Sequence, residues 1–128
     1  MTATPRFGAR QRAERHGRRA ETLAAWYLRC KGYRILARRY KTPVGEIDLI
    51  ARRGRLLAFV EVKRRPTLAE AAQAVSAFGQ ARIARAAALW LAAHPAAASL
   101  DCRFDVIISV PRRLPRHIVG AFDAGGTA

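Results

Sequence analysis

Residues 45–65 read GEIDLIARRGRLLAFVEVKRR, and this stretch predicts two neighbouring β-strands. Only Arg53-Gly54-Arg55 separates the strand at 45–53 from the strand at 55–64, so we expect an antiparallel hairpin. The second strand, RLLAFVEVKR, carries apolar residues at both odd and even positions. A strand that is apolar on both faces belongs in the middle of a sheet that is covered on both sides.

The segments outside this hairpin continue a pattern of helices and strands. They are predicted as a first helix over about 11–31, strands over 33–40, 103–110 and 117–122, and a second helical region that ends at His94. Ser76 is a suitable N-cap for the main part of that second region. The resulting order αβββαββ predicts an α/β fold with a mixed central β-sheet flanked by helices.

Several side chains outside the hairpin are expected to be structural. The first helix should bury a stripe at helical spacing that consists of Ala20, Leu23, Ala24, Tyr27 and Cys30. Trp26 and Trp90 lie on helical patterns and are expected in the core or half-buried at its edge, with stacking on a base as the alternative. Asp105 shares a strand face with Arg103, which favours a structural ion pair. The three histidines, His16, His94 and His117, lie in polar or terminal settings without zinc-ligand spacing.

A length of 128 residues corresponds to one domain, which we expect over 13–122 between a basic flexible arm (1–12) and a frayed tail (123–128). No apolar run reaches 18 residues, which excludes a transmembrane helix. The basic N-terminal segment lacks the apolar centre of a secretory signal. We therefore expect a cytoplasmic protein with no membrane partner, in which both cysteines are reduced.

The charge balance points to a polyanionic partner. Lys and Arg total 24 against 9 Asp and Glu, which gives a formal charge of +15. Nucleic acid is the favoured partner, because a basic surface releases counterions from phosphates when it binds. An anionic membrane, an acidic protein, or a solvated surface in an arginine-rich composition are the alternatives. The arginines expected to contact nucleic acid are Arg38, Arg39, Arg52, Arg64 and Arg65.

The two hairpin strands also carry a cluster of charged side chains. Glu46 and Asp48 share one strand face, Glu61 and Lys63 share another, and the hairpin can bring both pairs together. Two carboxylates ~4 Å apart repel by ~4 kcal/mol at an effective dielectric near 20, and one lysine offsets only part of this. A divalent cation such as Mg²⁺ or Mn²⁺ would offset the rest, and Glu46 is a further candidate ligand for it. The alternatives are a structural ion-pair cluster and, for Glu46, a salt bridge with an arginine.

These motifs carry a family resemblance. Asp48 followed by Glu61-Val62-Lys63 resembles the Asp…Glu-x-Lys core of restriction-endonuclease-like nucleases. The longer motifs are KGY at 31–33, GEIDLI at 45–50, FVEVKRR at 59–65 and CRFDVI at 102–107. Together they resemble the YraN-like family of uncharacterised bacterial proteins over roughly residues 14–122. The resemblance implies a restriction-endonuclease-like fold related to Holliday-junction resolvases.

The resemblance also implies roles for particular residues. Asp48, Glu61 and the Val62 backbone carbonyl would be ligands of Mg²⁺ or Mn²⁺, and Lys63 would be the catalytic lysine. Glu21 matches an acid on the first helix that helps the metal site through water, and Gln80 matches a polar site residue on the second helix. The alternative for Glu21 is a solvated residue paired with Arg18.

The function expected from charge, cluster and resemblance is that of a nuclease-like nucleic-acid-binding protein. It would be a divalent-metal-dependent endonuclease that hydrolyses phosphodiester bonds in DNA, on a repair or recombination intermediate. A non-catalytic DNA- or RNA-binding module with the same fold is the alternative. An RNA-binding partner of a larger assembly is a third, and a homodimer would suit a junction substrate because such cutters need two sites.

Overall fold

The structure is a computed structural model that describes residues 18–71 and 77–122. Its elements are helix α1 (described over 18–30), strands β1 (Arg34–Thr42), β2 (Gly45–Arg53) and β3 (Leu56–Arg64), helices α2 (Leu68–Ala71) and α3 (Ala77–Ala93), and strands β4 (Asp101–Ser109) and β5 (Arg116–Phe122). The predicted arm, tail and Ser76 cap lie outside the described residues. None of the helices within that described part is long and apolar enough to cross a bilayer.

The strands form one five-stranded mixed sheet in the order β1-β2-β3-β4-β5. The β2–β3 hairpin is antiparallel, as predicted, and β3 is the central strand. Strands β3 and β4 pair in parallel, so the chain must cross over between them, and α3 lies on that crossover. The predicted α/β class and the order αβββαββ are confirmed, with the short α2 preceding the main crossover helix.

Two helices cover opposite faces of this sheet. On one face, Ala24, Ala25 and Leu28 of α1 belong to a core cluster with Leu49 and Val60. On the other face, residues of α3 such as Ile83 and Trp90 pack in a cluster with Phe59 and Phe104. Because β3 contributes alternate residues to both clusters, its two apolar faces are explained by burial on both sides.

The buried stripe of α1 differs from the predicted one. Ala20 and Ala24 are buried as expected, but Leu23 and Cys30 are exposed, and Leu28 lies in the core instead. The expectation that Trp26 is in or near the core is also wrong, since 59 % of it is exposed. Alanine-rich helices offer more than one face that could be buried, and here the face with the single large side chain of Leu28 is selected by packing against the sheet. Trp90 is buried, as predicted.

His117 takes part in a buried polar network around Asp105. The predicted Arg103–Asp105 ion pair is confirmed, with Nε–Oδ1 and Nη2–Oδ2 distances of 2.8 and 2.7 Å. His117 Nε2–H donates to the same carboxylate at 2.7 Å, and its Nδ1 accepts from the Lys31 ammonium at 2.7 Å. The Gly120 amide also donates to Asp105, at 3.0 Å.

The network lowers the pKa of the Asp105 carboxyl. Burial alone would raise the pKa of Asp105, but the hydrogen bonds from His117, Arg103 and Gly120 outweigh burial and lower the pKa to about 2. Arg103 also donates to the Tyr33 hydroxyl at 2.7 Å. The network therefore joins the segment after α1 to β4 and β5, and its role is structural.

Helix α3 approaches the start of β2 more closely than side chains normally allow. A Cβ atom built on Gly45 would lie 2.9 Å from the carbonyl carbon of Arg82 and would overlap its carbonyl oxygen. Glycine at position 45 therefore permits backbone-to-backbone contact between the two elements. This contact fixes the position of β2 residues 45–48 relative to α3.

We expect the Gly45→Ala substitution to lower the free energy of unfolding by about 2–3 kcal/mol, because the added methyl group forces α3 away from β2. Urea denaturation measures this loss, and the near-ultraviolet circular dichroism of Trp90 reports the displacement of α3. Gly54→Ala is the control, since its Cβ would meet no atom within 4 Å although its φ of +61° carries a conformational cost. Wild-type stability and an unchanged Trp90 signal in Gly45→Ala would contradict the close contact.

Candidate active site

The hairpin strands separate at the end remote from their turn. Paired residues run from Arg53–Leu56 to Leu49–Val60, and beyond that pair the strands diverge into a fork formed by residues 45–48 and 61–64. Across this fork, Asp48 Oδ2 accepts a hydrogen bond of 2.7 Å from the Val62 amide. Since the N–H and C=O of one strand residue face the same neighbour, the Val62 carbonyl also faces the fork.

Two cavities open at the fork, one toward each helix. The cavity on the α1 side, of about 350 Å³, is lined by Arg18, Glu21, Arg39, Lys41, Glu46, Asp48 and Val62. The cavity on the α3 side, of about 340 Å³, is lined by Glu46, Asp48, Glu61, Val62, Lys63, Gly79, Arg82 and Ile83. The two cavities share Glu46, Asp48 and Val62, so Asp48 can be reached from both sides of the sheet.

The structure brings together the four charged residues predicted to cluster on the hairpin. Glu46, Asp48, Glu61 and Lys63 all line the α3-side cavity. Lys63 Nζ lies 2.8 Å from Glu61 Oε1, and the two side chains are 28 % and 15 % exposed. Both side chains are therefore partly exposed to solvent, and a ligand can reach the pair.

Negative charge dominates the immediate surroundings of Asp48. Burial raises the pKa of Asp48 to about 6, against the opposing effect of the hydrogen bond from Val62, and the charges of Glu61, Glu46 and Glu21 raise it further. The Asp48 carboxyl therefore resists ionisation because it is buried and lies near other acids, although the chain as a whole carries +15. Perturbed groups of this kind in a cavity are typical of functional sites.

Comparisons with known proteins identify the family of this chain. A model of the uncharacterised protein family UPF0102 matches residues 20–109, a segment that includes both strands of the fork. The chain belongs to this family. A UPF0102 protein from Chelativorans sp. is 59% identical over 116 residues, covering 91% of this chain and 94% of that protein. One from Bradyrhizobium diazoefficiens is 55% identical over 124 residues, covering 95% and 93%. The predicted family is thereby confirmed.

The donors at the fork of this UPF0102 protein suit a hard divalent cation. They are all oxygens: the carboxylates of Asp48 and Glu61 and the backbone carbonyl of Val62. Among residues 18–71 and 77–122, no group of three or more His, Cys, Asp or Glu side chains is arranged to hold a metal. Mg²⁺ usually keeps several waters and uses one or two carboxylates, so this small donor set fits Mg²⁺ better than a metal that needs a protein cage.

Glu21 lies near the fork but is held by β1 rather than by its own helix. Arg39 Nε donates to Oε1 and Oε2 of Glu21 at 3.2 and 3.1 Å, and Arg38 Nη2 lies 3.3 Å from Oε1. Glu21 therefore pairs with Arg38 and Arg39 of β1, and not with Arg18 of its own helix as the alternative had it. Glu21 is thus a buried carboxylate whose charge is paired with two arginines.

Arg39 is a site residue whose geometry the sequence did not reveal. Its φ is +52°, a left-handed conformation that is unfavourable for arginine, and its side chain lines the α1-side cavity beside Lys41. The ion pair with Glu21 holds the guanidinium in place. In the sequence, this irregular backbone was indicated only by the adjacent arginines at 38 and 39. Two charged neighbours break the inside–outside alternation of a strand.

The other predicted site residues are placed differently. Gln80 is half-buried on α3, whose described residues lining the cavity are Gly79, Arg82 and Ile83. Arg52 lies about 13 Å along β2 from Asp48 and donates to the Gly54 carbonyl, so it does not flank the fork.

Arg64 and Arg65 directly follow Lys63 along the chain, and Arg64 is the last residue of β3. The Arg65 amide donates to the Ser109 carbonyl at 3.0 Å, which fixes its backbone beside the end of β4. These two arginines therefore remain near the fork, in contrast to Arg52, and their contact with nucleic acid stays a prediction.

We expect Asp48→Asn to stabilise the metal-free protein at pH 8 by about 3 kcal/mol. The pKa of Asp48 is about 6 in the folded protein against an ordinary value of 3.8, so wild-type stability falls as pH rises between these values. Asparagine keeps an acceptor for the Val62 amide but carries no charge. The measurement is chemical denaturation in EDTA from pH 4 to pH 8. The difference in the free energy of unfolding between Asp48→Asn and wild type should become small toward pH 4.

The control for this experiment is Asp101→Asn, which removes an exposed carboxylate from β4. Its effect should be small at every pH, as is usual for surface substitutions. A constant difference between Asp48→Asn and wild type across the whole pH range would contradict the destabilising charge of Asp48.

Proposed function

We propose that this protein is a divalent-metal-dependent nuclease-like enzyme of the cytoplasm that hydrolyses phosphodiester bonds in DNA. The observation that carries the proposal is the Asp48 carboxylate, held across the strand fork by the Val62 amide with Glu61 and Lys63 lining the same cavity. An acid, a second acid and an amine around one accessible space are the groups that metal-assisted phosphoryl chemistry uses.

The residues of the fork divide the chemistry among them. Asp48, Glu61 and the Val62 carbonyl would hold Mg²⁺ or Mn²⁺, which supplies Lewis-acid stabilisation of phosphate charge and a more acidic bound water. Lys63 extends from the same strand as Glu61, and its ammonium is a compact positive charge that can hold the attacking water or the scissile phosphate. Part of the Lys63 side chain is exposed, so substrate can reach it.

The α1-side cavity supports a nucleic acid as the substrate. Its lining includes three cations, Arg18, Arg39 and Lys41, on the side of Asp48 away from Lys63. Phosphates on the substrate strand next to the scissile bond can contact these groups, which position the backbone without reading sequence. In this arrangement Glu21 orients Arg39, a role different from the water-mediated metal ligand that the resemblance implied.

A second candidate function is a non-catalytic binding module for DNA or RNA. The observation that favours it is the acidic donor set: within the described part of the chain, no three His, Cys, Asp or Glu side chains are arranged so that they could hold a metal ion. In such a protein the Glu61–Lys63 ion pair would simply be structural. The two functions differ in their dependence on metal, because counterion release governs binding whereas hydrolysis needs the cation.

We expect Lys63→Ala to reduce Mg²⁺- or Mn²⁺-dependent DNA cleavage at least about 100-fold while DNA binding changes only a few-fold. Cleavage is measured on single-stranded, duplex, flapped and four-way junction DNA, and binding by fluorescence anisotropy in EDTA. Arg85→Ala is the matched control, because it also removes one cation, from an exposed position on α3 outside both cavities. It should cleave at the wild-type rate.

The outcomes separate the two functions. If wild-type protein cuts none of these substrates with either metal yet binds them with a steep salt dependence that chelator does not change, the binding module is correct and the nuclease is wrong. If Lys63→Ala cleaves as fast as wild type, Lys63 has no catalytic role. Preferential crosslinking to RNA would redirect the binding function from DNA to RNA.

A further inference from the structure

An exposed ridge on α1 begins at the α1-side cavity and leads away from the fork. Arg18, Thr22, Trp26 and Arg29 follow one another at spacings of four, four and three residues, which places them on one side of the helix. Arg18 lines the cavity, and Trp26 lies roughly 12 Å further along the helix axis. Arg38 of β1 donates to the Thr22 hydroxyl at 3.0 Å and so flanks the ridge.

Trp26 presents an ordered aromatic surface on this ridge. The side chain is largely exposed, although most tryptophans are extensively buried. The Arg29 guanidinium carbon lies 5.4 Å from the ring centroid, a cation–π contact that restrains the indole and leaves much of its surface open. Leu23, one turn earlier, is also exposed and adds apolar surface beside it.

The charges around Trp26 indicate which kind of partner the ridge can bind. Arg18, Arg29 and Arg38 are exposed, and Glu21, the one acid in the described part of α1, is buried and paired with Arg38 and Arg39. A second copy of this chain would bring arginines against arginines. A polyanion with accessible flat rings matches both features, because phosphates pair with guanidinium groups and bases stack on the indole.

We propose that this ridge is a subsite for single-stranded nucleic acid in which Trp26 stacks on an unpaired base. The bases of a duplex are stacked on one another and are not available to a side chain on a convex helix, so the subsite selects an unpaired segment. The inference rests on the proposed function in one respect: the strand that occupies the ridge continues into the cavity at the fork. The subsite thus defines the substrate class of the proposed enzyme as DNA that contains a single-stranded portion.

Intrinsic fluorescence tests this subsite directly, because Trp26 is exposed and Trp90 is buried. Oligodeoxythymidylate of about 12 nucleotides, a typical single-strand site size, and a duplex of matched length are titrated in EDTA. The single strand should quench the fluorescence of Trp26. Trp26→Ala should abolish that quenching and weaken single-strand binding by about 5- to 100-fold, with little change for the duplex.

Two further variants make the result decisive. Trp26→Phe retains a stacking ring and should keep most of the affinity. Leu114→Ala removes an exposed apolar residue elsewhere and should bind as wild type. Since Trp26 makes little core contact, circular dichroism should show that all three variants fold. Wild-type single-strand affinity in Trp26→Ala, equal quenching by the duplex, or no binding by the wild type would overturn the subsite.

The experiment also separates this inference from the proposed function. Normal metal-dependent cleavage with Trp26-independent binding would refute the subsite and leave the nuclease intact. Trp26-dependent binding without cleavage by either metal would refute the nuclease and support the subsite. Sedimentation that shows a dimer which Trp26→Ala dissociates, with single-strand binding unchanged, would assign the ridge to a second copy of the chain and overturn the proposal.

Discussion

The hydrogen bond from the Val62 amide to the Asp48 carboxylate holds together the point where two central strands part. An amide at a diverging strand has lost its ladder partner and, when buried, must find another acceptor. Asp48 provides that acceptor, and the same bond fixes its side chain in the fork. The result is a carboxylate that is structurally required and electrostatically strained, because burial and nearby acids raise its pKa. The geometry of the fork and the position of the candidate metal ligand Asp48 thus both depend on this one hydrogen bond.

The strand pattern was sufficient to predict the sheet but not the fork. The two apolar faces of residues 56–60 required a central strand, and the tight turn at Gly54 required a hairpin. Period-two spacing also correctly placed Asp48 near Glu61 and Lys63. Pairing ends at Leu49, and in the unpaired part of β2 Gly45 is approached by α3, a contact between segments far apart in sequence. Local patterns contain no information about such an approach.

Helix α1 shows why the remaining site residues were harder to predict. Its alanines leave several faces nearly equivalent in hydropathy, so packing against the sheet decided which face is buried. That choice turned Glu21 inward, toward Arg38 and Arg39, and turned Trp26 outward. Likewise, the Arg103–Asp105 pair was evident from spacing within one strand, whereas His117 came from another. Pairs within an element can be inferred from sequence, but partners from different elements depend on tertiary geometry.

The network around Asp105 has an evolutionary consequence. The family match ends at residue 109, whereas His117 and Gly120, which donate to Asp105, lie on the strand that follows. A buried carboxylate that lost these donors would be severely destabilising. Positions 105 and 117 should therefore be inherited as a pair: relatives that replace the histidine with an apolar residue should also have lost the aspartate. Covariation between them would mark how far the common domain extends toward the C-terminus.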